Sequence, residues 1–580
     1  MDPWGLSGAP LGSSCEEQAR SRVTSPFRGH GVVAAPDERA AAAGVSMLQS
    51  GGNAVDAAVA AAFAIGVVEP YMSGLGGGAW LVASLRDVEE HILVEGPITS
   101  PLAATPDMFR LVVPEQTTGL YGWPAVEDDA NVVGPRSVGV PGAVAALCLA
   151  QRRLGLLSLK QVLAPAVALA DGGIDVNWFT SSAIVQEARQ LARDPGCAGM
   201  FLPDGFALRP PGFAPGDRLR QPALARTLHA VARMGHQGFY QGPTAKRLVE
   251  HVRAGGGLLS LADLANYRAR ISRAAVVGTF RDANILGTQF TGTPTVVQAL
   301  NVFEIASTAV GDAGAADDVA LAWTEALRLA HLDRMTWMTA NPDVPVPWQT
   351  LLSRQYAHEL WRSHTTGSAA PDPSSSDGHV SGGAAPTAPS EPSRWGCTSH
   401  ISVVDRFGNM VALTQTILDH FGARLLEPET GVLLNDGMTY FDPRPGHRNS
   451  IKPGVPGMPA VSPVIVEVPG QGPIAAVGGA GGRKIISSTA QVLSHIVQRM
   501  APQEAIDEPR VHADADTAVV DARWPAAAAE RIRHAGFRTE VVTEEPTTWH
   551  FARMGAVTVG ADGIPRGGVD RSKPGAVLKA

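Results

Sequence analysis

Thr398-Ser399-His400-Ile401-Ser402-Val403-Val404-Asp405, then Gly408-Asn409 and Leu413-Thr414-Gln415-Thr416, reads as a β-hairpin with one buried face. Ile401 to Val404 and Met410 to Thr416 alternate in the way a half-buried strand does, around the turn Arg406-Phe407-Gly408-Asn409. Immediately upstream, His364 to Ser393 is a tract of Gly, Ser, Pro and Ala. Such a composition cannot offset its ordering entropy by burial, so disorder is expected there. An interdomain linker would have the same composition. A polar tract that stops at a threonine opening a buried strand is also the arrangement of a self-cleaving precursor. Cleavage between Cys397 and Thr398 would leave a free α-amine beside a hydroxyl. A neutral hydroxyl needs an adjacent base to act as a nucleophile, and the new amine supplies one.

Three separated blocks share an order that chance would not give. The first runs from Gly51-Gly52-Asn53-Ala54-Val55-Asp56-Ala57-Ala58 through Val67-Val68-Glu69-Pro70 to Ser73-Gly74-Leu75-Gly76-Gly77-Gly78. The second is the Thr398 block with Gly431-Val432-Leu433-Leu434-Asn435, and the third is Gly478-Gly479-Ala480-Gly481-Gly482-Arg483-Lys484-Ile485-Ile486. In these blocks the chain resembles the γ-glutamyltranspeptidase family from about residue 29 onward. The resemblance implies an α+β fold, a four-layer αββα N-terminal-nucleophile hydrolase sandwich cut into two subunits. It implies an arm over 1–28, a large subunit over 29–397 with 364–393 as its disordered tail, and a small subunit over 398–580. Thr398 matches the family's nucleophile, Thr416 the second threonine that contacts it, and Gly481 and Gly482 the oxyanion pair. His400 is expected to be structural, because the α-amine already provides the base.

Composition excludes other classes. The chain has 580 residues, 45% hydrophobic and 18% charged, with a net charge of −8. It can build a large core, and no basic footprint points to nucleic acid or an anionic membrane. Cys15, Cys148, Cys197 and Cys397 form no CxxC pair, so neither disulfides nor a metal site is expected, and no cofactor is called for. The first twenty residues lack a basic region followed by an apolar run, and the longest apolar stretch, 57–68, is too short to span a bilayer. A cytoplasmic enzyme is expected, whose partners are a small-molecule substrate and its own two subunits. Gly74, Gly76 and Ala79 mimic a dinucleotide fingerprint, but a helix precedes them and a strand follows, the reverse of what that motif needs.

The chain departs from the family where glutamate would be held. The family's carboxylate-binding Arg is missing from Glu95-Gly96-Pro97-Ile98-Thr99-Ser100-Pro101. An Asn two positions after the second threonine is Leu418. The amine-binding polar residue and Asp fall at Gly437 and Tyr440. The family's Ser-Ser is Pro459-Ala460, and the lid between Phe441 and Pro459 looks short, which suggests an open pocket. Loss of this clamp should remove several charge-assisted bonds of roughly 1.5–3 kcal/mol each. Arg424, His420, Tyr440 and Lys484 lie on segments that bound the family's site and are candidate replacement contacts; Arg424 or Lys484 would hold a carboxylate.

Divergent branches of the family include cephalosporin and glutaryl acylases, an oxamate hydrolase, and enzymes of alkylproline antibiotic pathways that hydrolyse a C–C bond with release of an oxalyl fragment. The lost clamp and the Ala/Arg/Gly/Pro-rich composition favour the last branch. The competing readings are a non-glutamyl amidase or acylase, a γ-glutamyl transferase with a rebuilt clamp, and a non-catalytic scaffold.

Overall fold

The computed structural model describes residues 29–86, 88, 90–112, 117–118, 121–212, 214–309, 315–374 and 396–580. The expected arm, 1–28, and most of the 364–393 tract lie outside these residues. The start of that tract is described and differs from expectation. His364 to Thr366 form the last turn of a helix, Arg354–Thr366, closed by Gly367 in the left-handed conformation at φ 67°. Tyr356, Ala357 and Leu360 bury one face of that helix, which gives this end of the tract the apolar contacts its composition alone does not suggest.

Thirteen strands build the sandwich: β1 (Val32–Ala35), β2 (Gly78–Ser84), β3 (Ile92–Gly96), β4 (Arg270–Arg273), β5 (Ala275–Phe280), β6 (Ala283–Gly287), β7 (Gly396–Val404), β8 (Met410–Asp419), β9 (Val464–Val468), β10 (Gly472–Ala480), β11 (Arg553–Val559), β12 (Pro565–Val569) and β13 (Ala576–Lys579). One sheet runs β13-β1-β7-β8-β2-β3-β4 and the other β12-β11-β10-β9-β6-β5. Their inner faces meet through Val32, Val82, Met410 and Ala412 on one side and Ile465, Ala476 and Val557 on the other.

Helices cover both outer faces. Helices α1 (Glu38–Gln49), α2 (Ala54–Val68) and α3 (Ala143–Leu154) pack on the first sheet, where Ile401, Val403, Val411 and Leu413 point outward. Helices α4 (Thr293–Ala309) and α6 (Lys484–Val497) cover the second, on the side of Val464, Val466, Ala475 and Val477, and α5 (Ala316–Trp337) packs on α4. The four layers follow from side-chain alternation: each central strand sends one set of residues to the sister sheet and the other to a helix. The fold is the α+β sandwich expected.

Helix α2 joins the two expected subunits. Every one of its residues is buried, as an all-apolar helix requires. Its start is fixed by a capping box. Asn53 Oδ1 accepts from the amides of Val55 (2.9 Å) and Asp56 (3.1 Å), and Asp56 returns a carboxylate oxygen to the Asn53 amide at 3.1 Å. Asp405, at the turn of the β7–β8 hairpin, accepts from the Ala54 amide at 3.0 Å. The glycine run after α2 has a packing reason rather than a nucleotide-binding one. A Cβ at Gly77 would collide with the Thr416 carbonyl, and one at Gly76 with the Leu433 carbonyl. The run therefore lies directly on the site strand β8.

Cys148, Cys197 and Cys397 are buried free thiols, and Cys15 lies outside the described residues. Among the described residues, no helix is long and apolar enough to cross a membrane.

Candidate active site

Strands β7 and β8 are antiparallel neighbours, and their register breaks at one place. Cys397 pairs with Leu418 and Ser399 with Gln415, so Thr416 and Ile417 together oppose Thr398. This is a β-bulge on β8, a device that re-aims a side chain out of strict alternation. It turns the Thr416 hydroxyl onto the Cys397–Thr398 junction. Thr398 Oγ1 lies 3.2 Å from Thr416 Oγ1, and both hydroxyls donate to the Cys397 carbonyl oxygen, that of Thr416 at 2.5 Å. Thr416 Oγ1 in turn accepts from the Leu418 amide at 2.9 Å. In the uncut chain the carbonyl preceding Thr398 is thus polarised by two hydroxyls. Both threonines are buried, at 2% exposure each, so water does not compete for these bonds.

His400 is a bridge between the sheets. Its Nε2 is 2.8 Å from Ser402 Oγ and its Nδ1 is 2.7 Å from Thr414 Oγ1. Ser402 donates its own proton to the Ala476 carbonyl on β10, so Nε2 carries the imidazole hydrogen and Nδ1 accepts. Burial holds its pKa down at about 3, so the ring is neutral. A Cβ at Gly478 would come within 2.5 Å of this ring, which is why β10 has a glycine there. The structural role expected for His400 agrees with this geometry.

Gly481 and Gly482 follow directly from Ala480, the last residue of β10, and lead into α6. They take φ +139° and +60°, and a Cβ at Gly481 would sit 3.0 Å from the Ala552 Cα, so neither position suits a side chain. A strand end entering a helix start leaves amides without intrahelical acceptors, the chemistry an oxyanion needs.

The four candidate substrate contacts divide. Tyr440 is buried in an apolar cluster with Ile98, Phe109, Tyr121, Leu418 and Met438, beside the junction. Arg424 is elsewhere engaged: its guanidinium meets Glu187 at 3.2 Å and Asp419 at 3.7 Å and donates to the Gly422 carbonyl at 2.7 Å. Lys484 is buried, donates to the Trp549 carbonyl, and has a pKa lowered by burial to about 8. His420 stands between the Tyr71 and Trp549 rings, with burial lowering its pKa to about 3. As carboxylate holders, Arg424 and Lys484 are corrected. Arg424 already has two carboxylates, and the Lys484 ammonium is turned to a carbonyl.

The lid also differs from expectation. Although short, it closes over the cluster: Ile451 and Val455 are buried in it, and Val455 donates to Ser100 Oγ at 3.1 Å. Leu418 takes φ +81°, an unusual conformation for a branched residue, and Gly437 has no room for a Cβ because Ile98 fills that space. Around Leu418 and Gly437, this chain packs hydrocarbon.

Sequence reading missed Arg334 on α5. Its guanidinium is buried at 3% exposure and donates to the carbonyls of Thr291 at 3.0 Å and Pro459 at 2.7 Å. The segment it grips is Met458-Pro459, at the end of the lid. The sequence signal was an arginine on the buried face of a long helix.

Comparison with known proteins identifies the family. The family described as Gamma-glutamyltranspeptidase matches residues 40–580. The acylase ACY 1 proenzyme of Pseudomonas sp. (strain V22) is 34% identical over 549 residues, covering 93% of this chain and 91% of its own. A glutathione hydrolase proenzyme of Pseudomonas sp. (strain A14) is 32% identical, covering 83% and 81%. Among solved structures, LmbA2991HD superposes with a TM-score of 0.79 at 26% identity, over 97% of this chain and 100% of its own. The chain belongs to the γ-glutamyltranspeptidase family of N-terminal-nucleophile hydrolases.

Proposed function

We propose that this chain is a self-processing threonine hydrolase that takes a non-glutamyl acyl group. Thr398 Oγ attacks the Cys397 carbonyl carbon, the peptide C–N bond breaks, and its nitrogen takes the hydroxyl proton. Water then hydrolyses the resulting ester, leaving a Cys397 carboxylate and Thr398 with a free amine. In the mature enzyme that amine accepts the Oγ proton as Oγ attacks the substrate carbonyl. The amides of Gly481 and Gly482 hold the oxyanion, Thr416 orients Oγ, the leaving group departs protonated, and water releases the acid. Chain residues 1–397 and 398–580 are the two subunits of this reading.

The observation that carries it is the contrast at the junction. The hydroxyl pair Thr398–Thr416 is aligned on one carbonyl, while Gly96, Leu418, Gly437 and Tyr440 offer no ionic clamp. Similarity to an acylase over nearly the whole chain favours an amide substrate. A second reading rests on the close packing beside the junction, where Ile98 leaves no space even for a Cβ at Gly437. Such packing favours a short oxalyl-type fragment released by C–C hydrolysis, as in biosynthesis of alkylproline antibiotics. Both readings share the acyl-threonine step and differ in the leaving group.

The test is a product analysis of the purified mature enzyme. N-terminal sequencing should read Thr-Ser-His-Ile, and γ-glutamyl anilides should turn over at least about 10²-fold more slowly than non-glutamyl acyl anilides. A released amine with an intact carbon skeleton supports amide hydrolysis, and oxalate among the products supports C–C cleavage. Efficient glutathione hydrolysis refutes the loss of glutamyl recognition.

A further inference from the structure

Helix α6, whose first turn follows Gly481 and Gly482, is held along one face by buried polar contacts as well as by hydrocarbon. Arg483, Ser487 and Gln491 stand four residues apart, so their side chains line one face over about 12 Å. All three are buried, on the side of the strand Val511–Ala513 and of Asp514 just after it. The Arg483 guanidinium meets the Asp514 carboxylate at 3.0 Å. Ser487 Oγ lies 2.7 Å from His512 Nδ1, and His512 Nε2 faces the same Asp514 carboxylate at 3.5 Å. Gln491 donates to the Val511 carbonyl at 2.8 Å and accepts from the Val511 amide at 3.0 Å. A closed circuit therefore runs from Arg483 through Asp514 and His512 back to the helix at Ser487. The His331 ring of α5 backs His512 edge-on, at 5.8 Å between centroids. Burial raises the Asp514 pKa, but Arg483 and His512 outweigh it and hold the carboxyl well below the usual carboxylate range, so it stays charged. On the other flank, the Ala552 amide donates to Ser488 Oγ at 3.2 Å, and Ala552 is the residue that packs on Gly481.

An apolar helix face can slide or rotate by a fraction of a turn at little cost. Three directional contacts at different heights fix both its axial register and its rotation. That register aims the amides of the turn at the head of α6, and the reaction needs them within hydrogen-bond reach of a charge that exists only transiently. We propose that the Arg483–Asp514–His512 circuit, with Ser487 and Gln491, positions the Gly481–Gly482 turn for the oxyanion. Arg483 and Asp514 are then positioning residues, which act through the turn and touch no substrate atom. This rests on the reading of Gly481 and Gly482 as the oxyanion pair. It goes beyond that reading by separating turnover from self-cleavage. The Cys397 carbonyl is held by the Thr398 and Thr416 hydroxyls, on β7 and β8, so maturation does not draw on α6.

The experiment compares Asp514→Asn with the wild type in two assays. One is the rate of self-cleavage on a denaturing gel; the other is turnover of non-glutamyl acyl anilides, normalised to folded, cut protein. Asp514→Asn should cut at Cys397–Thr398 at the wild-type rate. It should then lose about 10²-fold in kcat with KM nearly unchanged, because a misaimed oxyanion turn is felt only in the transition state. Arg483→Met should behave in the same way, and Arg483→Lys should recover part of the loss, since an ammonium keeps the ion pair. Ser487→Ala breaks the circuit at one contact and should lower kcat about 10-fold; it keeps the test decisive if Asp514→Asn fails to fold. An unchanged kcat in the folded variants overturns the proposal and assigns the circuit to stability alone. Equal loss of self-cleavage and turnover also overturns it, because α6 would then serve the fold of the whole site. A rise in kcat for Asp514→Asn overturns it in favour of a direct field from the Arg483 charge. A wild type that cuts itself but turns over none of the anilides overturns the underlying oxyanion reading, and this proposal with it.

Discussion

Two walls meet at the Cys397–Thr398 junction, and they are built on different principles. The wall at the β7–β8 seam carries buried hydroxyls in two groups: Thr398 and Thr416 meet on the Cys397 carbonyl, while Thr414 and Ser402 are joined by His400 and end on the Ala476 carbonyl of the other sheet. The opposite wall, from Ile98 and Tyr121 to Leu418, Tyr440 and Ile451, is packed hydrocarbon and aromatic rings under a short lid. The hydroxyl wall belongs to the central strands, where a change in one residue breaks both a ladder and a side-chain network. The apolar wall is drawn largely from loops, where replacing a polar contact by a methyl or a glycine disturbs only its neighbours. In the proposed function, reaction chemistry is thus tied to the sheet and specificity to the loops, so the second can change while the first is kept.

The largest effect should come from the hydroxyl wall. Thr398→Ala should remain a single chain on a denaturing gel and show no turnover, while the wild type separates into residues 1–397 and 398–580. An active wild type that stays intact, or a cut at another bond, would return Thr398 to an ordinary strand position. Thr416→Val comes next. It keeps the volume and the bulge but removes the donor to the Cys397 carbonyl. Self-cleavage should slow by about 10²-fold or more, the usual scale for losing one donor to a developing oxyanion. Circular dichroism and melting should change little; an unchanged cleavage rate would show the 2.5 Å contact to be incidental.

Much of the hydroxyl wall was legible in the sequence, because it is local. The alternation of Ile401–Val404 and Met410–Thr416 gives the hairpin, and Asn53 with Asp56 gives the start of α2. The register break at Thr416–Ile417 was not legible: alternation counts residues and cannot see two opposing one. The apolar wall was read only as an absence of polar residues. Its packing brings together residues 98, 121, 418, 440 and 451, far apart in the chain, so no pattern announces it. Arg424 and Lys484 were misread for the same reason. Their partners, Glu187 and the Trp549 carbonyl, lie on distant segments.

A smaller effect tests the apolar wall by making it polar. Leu418→Asn restores the residue type the family has two positions after its second threonine. Asparagine tolerates φ +81° better than leucine, which returns roughly 1 kcal/mol of strain. Against this stands the loss of a fully buried leucine, about 3 kcal/mol. The net expectation is destabilisation by about 2 kcal/mol in denaturant unfolding. Turnover of γ-glutamyl anilide should not recover, because Gly96, Gly437 and Tyr440 still supply no charged partner. Recovery to family-like rates from this one change would show that the two walls are not independent.

The smallest and most condition-dependent effect separates structure from catalysis within the hydroxyl wall itself. The folded state holds the His400 pKa near 3, against 6.5 for a free histidine. Below pH 6.5 the unfolded chain binds a proton that the folded chain refuses, so stability falls as pH falls toward the folded pKa. One pKa unit corresponds to about 1.4 kcal/mol, which puts the loss from this residue at about 2 kcal/mol between pH 6.5 and 5. His331 and His420, with folded values of about 4 and 3, act in the same direction. His400→Gln keeps a donor and an acceptor but cannot titrate. It should be less stable than the wild type at pH 7.5, with the gap closing by about 2 kcal/mol as the pH drops to 5. Its pH–rate profile should keep the wild-type shape, because the base is the Thr398 amine. A gap that stays constant with pH would mean that His400 takes its proton in the folded state. A shifted rate profile would move it from the bridge between the sheets into the chemistry.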